Sequence, residues 1–271
     1  MTDQAAGGRR RRPDGTGLLV LVDVGNTNTV FGVYQGDELV ESFRLSTDTE
    51  RTADEYGALL LPLFTRSGID PSTAEAVVIS SVVPPLHLTL ERMSSRYFGR
   101  KPLFIEPGVR TGMPIRYDNP AEVGADRIVN AVAARERYGS PVVVVDFGTA
   151  TTFDIVNAAG EYAGGIIAPG ITISAEALFA HASRLYRVDV RKPSELVGKN
   201  TAGAMQAGIY YGYIGLVDGI LERLTAELPG LKGIVATGGQ APLIASGSKY
   251  IRDVDPDLTL TGLKLIYERN R

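Results

Sequence analysis

From residue 18 onward, short apolar runs rich in β-branched residues alternate with longer stretches of helical period. Residues 18–22 read as a buried strand, Gly25-Asn26-Thr27 as a turn, and 30–34 as a returning strand. Gln35-Gly36-Asp37 turns the chain again into 39–45, so an antiparallel meander is expected. Thr52 with Glu55 three residues on is a capping-box signature, opening a helix to about residue 65 that stops at Gly68. Residues 76–83 form another buried strand, Pro84-Pro85 breaks the chain before a helix near 86–97, and 102–105 is a short strand. Ile128, Val129, Val132 and Ala133 share one face of a helix over 125–138, closed by Gly139.

The pattern then restarts. Residues 142–145 form a strand ending in Asp146, 151–156 return, Ala159-Gly160 turns, and 162–168 make a third strand. Helices are expected near 174–182, from 201 to about 228 and over 257–267, with a further strand at 233–236. Val20-Leu21-Val22-Asp23-Val24-Gly25-Asn26-Thr27 and Val143-Val144-Val145-Asp146-Phe147-Gly148-Thr149-Ala150 are built alike: apolar strand, Asp, one apolar residue, Gly, then polar residues. Each leads into a meander, and they lie about one domain length apart. We therefore expect an α/β fold of two similar lobes facing each other, 18–140 and 141–271, behind a disordered solvated tail at 1–17.

Composition narrows the chemistry. Twenty-eight Lys and Arg against thirty-one Asp and Glu give a formal charge of −3 over 271 residues, without the basic excess of a nucleic-acid binder. Four arginines at 9–12 resemble the start of a secretory signal, but the apolar run behind them ends after five residues at Asp23, so neither a signal nor a membrane segment is expected. With no Cys and only His87 and His181, thiol nucleophiles, thiolate zinc sites and His-rich metal clusters are excluded. Chemistry here must come from carboxylates, hydroxyls and backbone amides.

A tight glycine turn between strands presents backbone N–H groups to phosphate oxygens, and Thr27 and Thr29 add hydroxyl donors. An Asp at the strand end can hold Mg²⁺, its waters or a monovalent cation; it can equally be an ordinary turn-capping residue. Two facing turns predict a phosphate clamp, and a third, Thr237-Gly238-Gly239, would suit a base or ribose shelf. Gly198-Lys199-Asn200-Thr201 fails as a phosphate-binding loop, since Asn200 separates Lys from Thr and Pro193 replaces the leading glycine. Asp126 opens a helix, where it is either a carboxylate favoured by the dipole or a base for an alcohol acceptor. Arg127 offers a donor fork to a substrate carboxylate or phosphate, or a surface ion pair to Glu122 or Asp126. The helix from Thr201 carries Gly203, Gly208, Gly212, Gly215 and Gly219, which internal packing and a dimer interface explain equally; Tyr210, Tyr211 and Tyr213 read as core or interface.

Asp23-Val-Gly-Asn-Thr, Gly124-Ala-Asp-Arg, Asp146-Phe-Gly-Thr, Gly198-Lys-Asn-Thr and Thr237-Gly-Gly, in that order, resemble the type III pantothenate kinase family. The resemblance implies two ribonuclease H-like lobes of the actin-like, sugar-kinase-like ATPase superfamily around a nucleotide cleft, and ATP-dependent phosphorylation of pantothenate in coenzyme A biosynthesis. By the match, Asp23, Val24, Gly25, Asn26, Thr27, Asn28, Thr29 and Val30 form the ATP-phosphate loop, with Thr149 a second ATP contact. Asp126 is similar to the proton acceptor, and Tyr117, Gly124, Ala125, Asp126, Arg127 and Thr201 to pantothenate contacts. Asp146 resembles the ligand of K⁺ or NH₄⁺, beside Mg²⁺ on ATP. Family members are cytoplasmic homodimers. Other small-molecule kinases of the superfamily, or an inactive nucleotide-binding regulator, are the alternatives.

Overall fold

The computed structural model describes residues 17–182 and 184–271. Most of the tail, 1–16, lies outside the described residues; its last residue, Gly17, donates its N–H to Glu75 Oε1 at 2.9 Å. Among the described residues the chain forms two five-stranded sheets and seven α-helices. The first half runs β1 (Leu18–Val24), β2 (Asn28–Gln35), β3 (Glu38–Ser46), α1 (Ala53–Arg66), β4 (Ala74–Ser81), α2 (His87–Met93), β5 (Leu103–Phe104) and α3 (Ala125–Tyr138). The second runs β6 (Val142–Phe147), β7 (Ala150–Val156), β8 (Tyr162–Pro169), α4 (Ile171–His181), α5 (Thr201–Glu227), β9 (Gly233–Thr237), α6 (Ala241–Ala245), β10 (Asp253–Val254) and α7 (Leu258–Asn270). The short α6 and β10 carry too little apolar pattern to be anticipated. The capping box is present, Thr52 and Glu55 each bonding the other's backbone N–H. The helix expected near 86–97 is a 3₁₀ turn, then α2, then a wider π turn ending at Gly99.

The repeat read from the two octets is a repeat of topology. The first sheet has order β3-β2-β1-β4-β5 and the second β10-β9-β6-β7-β8. In both, the leading strand pairs antiparallel with the next and parallel with the strand after the crossover. β1 and β6 are apolar on both faces because both faces are covered. Val20, Val22 and Val24 pack outward toward Tyr56, Leu60 and Phe64 of α1. Val143, Val145 and Phe147 pack outward toward Tyr213, Val217 and Leu221 of α5. Leu19, Leu21, Val142 and Val144 turn inward to a shared central core with α3 and α7.

That central layer departs from the sequence expectation. α3, written with the first half, packs on β6 and β7 as well as on β4, and α7, grouped with the second lobe, packs on α3 and on β1 and β4 of the first sheet. Sandwiched in this way, α3 is buried from Arg127 to Ala134 instead of along one face. The closest approach is at Gly262, where a Cβ would stand 2.1 Å from the Val129 carbonyl oxygen.

Gly262→Ala should therefore destabilise the chain by about 1–3 kcal/mol through overpacking. Its gain in helix propensity, about 1 kcal/mol, opposes this but is the smaller effect because the obstacle is backbone. Urea unfolding reads the difference; a variant at least as stable as the parent would refute the close approach.

Candidate active site

The two Asp-x-Gly turns meet across the cleft. The Gly25 N–H donates to the Asn28 carbonyl and the Gly148 N–H to the Ala150 carbonyl, both at 3.0 Å, and the turn tips touch through Thr27 Oγ1 and Thr149 Oγ1 at 2.8 Å. The second turn is one residue shorter, so Thr149, and not the Ala150 of the octet alignment, opposes Thr27. Thr47 braces the first turn, its N–H donating to the Thr27 carbonyl at 2.9 Å and its hydroxyl to the Gly25 carbonyl at 2.7 Å. Thr29 differs from expectation: it is wholly buried, with its hydroxyl 2.9 Å from that of Thr47. Val24 lies in the outer core and Val30 against the central one, so in this loop Val24, Thr29 and Val30 can serve a ligand only through their backbone. Asn26, Thr27, Gly148 and Thr149 are exposed, while Asp23, Gly25 and Asn28 are half-buried.

The cleft floor is acidic. Burial, then the charges of Asp126 and Asp146, push the Asp23 carboxyl up to about 8, opposed by the Arg44 charge. Burial, then Asp126 and Asp154, push Asp146 up to about 7, although Asn130 Nδ2 donates to its Oδ2 at 2.9 Å. Asp126 is raised chiefly by burial, and its Oδ1 accepts the Arg127 N–H at 2.8 Å. This folding back needs Gly124, whose Cβ would stand 2.6 Å from Asp126 Oδ1. Asp126 thus does bond the helix start, and its raised pKa also makes it a better proton acceptor. The third glycine turn closes on the second: a Cβ on Gly238 (φ +89°) would lie 2.6 Å from Asp146 Oδ1, whereas one on Gly239 would meet nothing within 4 Å.

The cation expectation can be weighed on the donors present. No ion pair among the described residues reaches Asp146, and its carboxylate stands near two others, which fits a cation. Among the described residues no three Asp, Glu or His side chains converge as a ready-made metal site, so a divalent ion fits here together with ligand phosphates.

Arg127 is neither at the surface nor paired with Glu122 or Asp126. Its Nε donates to the buried Asp154 Oδ1 at 2.7 Å, and Tyr117 and Tyr162, with ring centroids 6.4 Å apart, lie beside it. Ala125 packs against the central core. Asp126, Arg127 and Tyr117 are therefore brought together, while Thr201 stands elsewhere, in an open groove of about 650 Å³ between α4 and α5 with Leu178, Leu185, Lys199 and Met205. Sequence reasoning missed Asp154, Asn130 and Thr47. The available signals were an acid inside the apolar strand Phe153-Asp154-Ile155, and the one-turn spacing of Asp126 and Asn130 on one helix.

Two lobes of one topology, with opposed Asp-x-Gly turns above a carboxylate floor, define an actin-like, sugar-kinase-like ATPase fold. Solved structures agree on the fold: a Campylobacter jejuni protein described as a Baf family transcriptional activator (22% identical, TM-score 0.58, 93% of this chain and 98% of that one), and the Acidaminococcus fermentans (R)-2-hydroxyglutaryl-CoA dehydratase component A (13%, 0.54, 94% and 99%). Residues 19–223 match the family described as type III pantothenate kinase. Type III pantothenate kinases of Myxococcus xanthus and Koribacter versatilis are 60% and 56% identical, covering 93% and 94% of this chain and 99% and 96% of their own. The chain belongs to the type III pantothenate kinase family.

Burial pushes the folded Asp23 carboxyl up to about 8 from an ordinary 3.8, so between these values the folded chain binds more protons and stability falls as pH rises. Without nucleotide or metal, Asp23→Asn should melt above the parent at pH 8, with the gap closing toward pH 4. Thermal melts across that range decide it; an Asn variant less stable at the alkaline end refutes the buried repulsion.

Proposed function

We propose that this chain transfers the γ-phosphoryl group of ATP to the primary hydroxyl of pantothenate, giving 4′-phosphopantothenate at the entry to coenzyme A biosynthesis. The observation that carries this reading is Asp126, a carboxylate of raised pKa on the cleft floor between the facing turns and the Arg127–Tyr117 side. The hydroxyl oxygen attacks the γ-phosphorus as its proton passes to Asp126; the bond to the β-phosphate oxygen breaks and ADP leaves. Asn26, Thr27 and Thr149 present donors to the phosphates from the two turn tips. Asp146 would hold K⁺ or NH₄⁺, and Asp23 would face Mg²⁺ carried on ATP; bound there, the cations would neutralise phosphate charge. We place this reaction in the cytoplasm; among the described residues no helix is long and apolar enough to cross a membrane.

ADP release from purified protein with pantothenate, glycerol, acetate or no acceptor tests the reading and separates it from other kinases and from a silent regulator. Asp126→Asn should lower kcat by about 10²–10⁴ with ATP binding and folding intact. Retention of more than roughly a tenth of kcat would overturn the base assignment. Repeating the assay in K⁺, NH₄⁺ and Na⁺ buffers reads the Asp146 site.

The same reading makes the working unit a homodimer. Gly208, Gly212 and Gly215 lie at helical spacing on α5, are exposed, and would meet nothing within 4 Å if given a Cβ. Internal packing therefore does not explain them, and with exposed Tyr211 and Leu216 they offer a close-approach face to a second copy. Thr201, set apart from Asp126 within one chain, would then complete the partner's pantothenate site. Mixing inactive Asp126→Asn chains with inactive Thr201→Val chains should restore activity in heterodimers. A monomer by light scattering with full specific activity would refute this assembly.

A further inference from the structure

Asp154 is used by none of the steps above, yet it is the most deeply placed acid near them. It lies in the middle of β7, between Phe153 and Ile155 of the outer core, and is wholly buried. Oδ1 accepts from Arg127 Nε at 2.7 Å and Tyr162 OH at 2.8 Å; Oδ2 accepts from Thr152 Oγ1 at 2.9 Å. Stability alone is a poor reason for this arrangement, because desolvating two charges offsets most of what their attraction returns.

The guanidinium fork is only partly used. The Arg127 side chain is 9% exposed, and its Nη2 is buried without a partner. That atom lies against Gly165 of β8, where a Cβ would come within 2.3 Å of it. A Cβ on neighbouring Gly164 would stand 3.8 Å from the Tyr117 ring, which is 36% exposed. The idle donor and Tyr117 therefore sit side by side along β8. Asp23 and Asp146, on the phosphate side, both feel the charge of Asp126, one residue before Arg127, whereas the Arg127 side chain points to β7 and β8. An acceptor whose hydroxyl meets Asp126 thus extends toward Nη2.

We propose that Asp154 is the positioning residue of the acceptor site, holding Arg127 by Nε so that Nη2 is presented to the carboxylate of pantothenate. This rests on the pantothenate reading above. The same hold keeps the guanidinium off Asp126, whose proton-accepting power a direct ion pair would lower. Tyr162 and Thr152 fix the rotamer of Asp154 and so act one contact further out.

The test compares pantothenate with a neutral N-alkyl amide of pantothenate, both with ATP, Mg²⁺ and K⁺. Asp154→Asn should raise KM for pantothenate about 30-fold or more, with kcat changing far less. Tyr162→Phe and Thr152→Val, which keep shape and remove one hydrogen bond each, should raise it about 3- to 10-fold. KM for the neutral amide, which already lacks the contact, should change less than about twofold in all three. Parental KM for pantothenate in the variants, or equal loss on both acceptors, overturns the proposal; if Asp154→Asn does not fold, the two milder variants decide. An unsubstituted chain that releases no ADP with pantothenate would instead defeat the underlying reading.

Discussion

The contact on which the rest depends is the crossing of α3 and α7 at Gly262. Each helix ends one half of the chain and packs on the sheet of the other, so the two sheets are joined through a shared apolar layer. Asp126, Arg127 and Asn130 all stand on α3, and Thr259 of α7 donates to Asn130 Oδ1 at 2.7 Å. The packing that joins the lobes therefore also sets Asp126, Arg127 and, through Asn130, the Asp146 carboxylate at the end of β6.

Like charges define the cleft. Asp126 and Asp146 push Asp23 up, Asp126 and Asp154 push Asp146 up, and the Arg127 side chain pairs directly only with Asp154. Carboxylates crowded in this way repel one another when ionised, and a cation placed among them would relieve that repulsion.

Much of this was legible in the chain. β1 and β6 declared themselves because strands covered on both faces are written as unbroken valine and leucine, and the repeated Asp-x-Gly turns announced the duplicated topology. The destination of α7 was not legible: an apolar helix face carries no mark of which sheet it will cover. Thr29 read as a phosphate donor because sequence does not reveal that Thr47 returns to meet it. Asp154 stayed hidden inside an apolar strand, and the partner of Arg127 with it, since a pairing across 27 positions leaves no local signal. The missing residue in the second turn was invisible until strand register closed the turns at Val24–Thr29 and Phe147–Thr151, with Thr27 meeting Thr149 at the tips.

The exchange of terminal helices also bears on how the chain is made. All five strands of the first sheet have been synthesised by Phe104, but α7, which packs on β1 and β4, begins only at Leu258. At about 5–20 residues per second, that interval is on the order of ten seconds. Throughout it, Leu19, Leu21 and Val78 lack their final cover, so the nascent chain must shelter an apolar sheet face before its architecture can close.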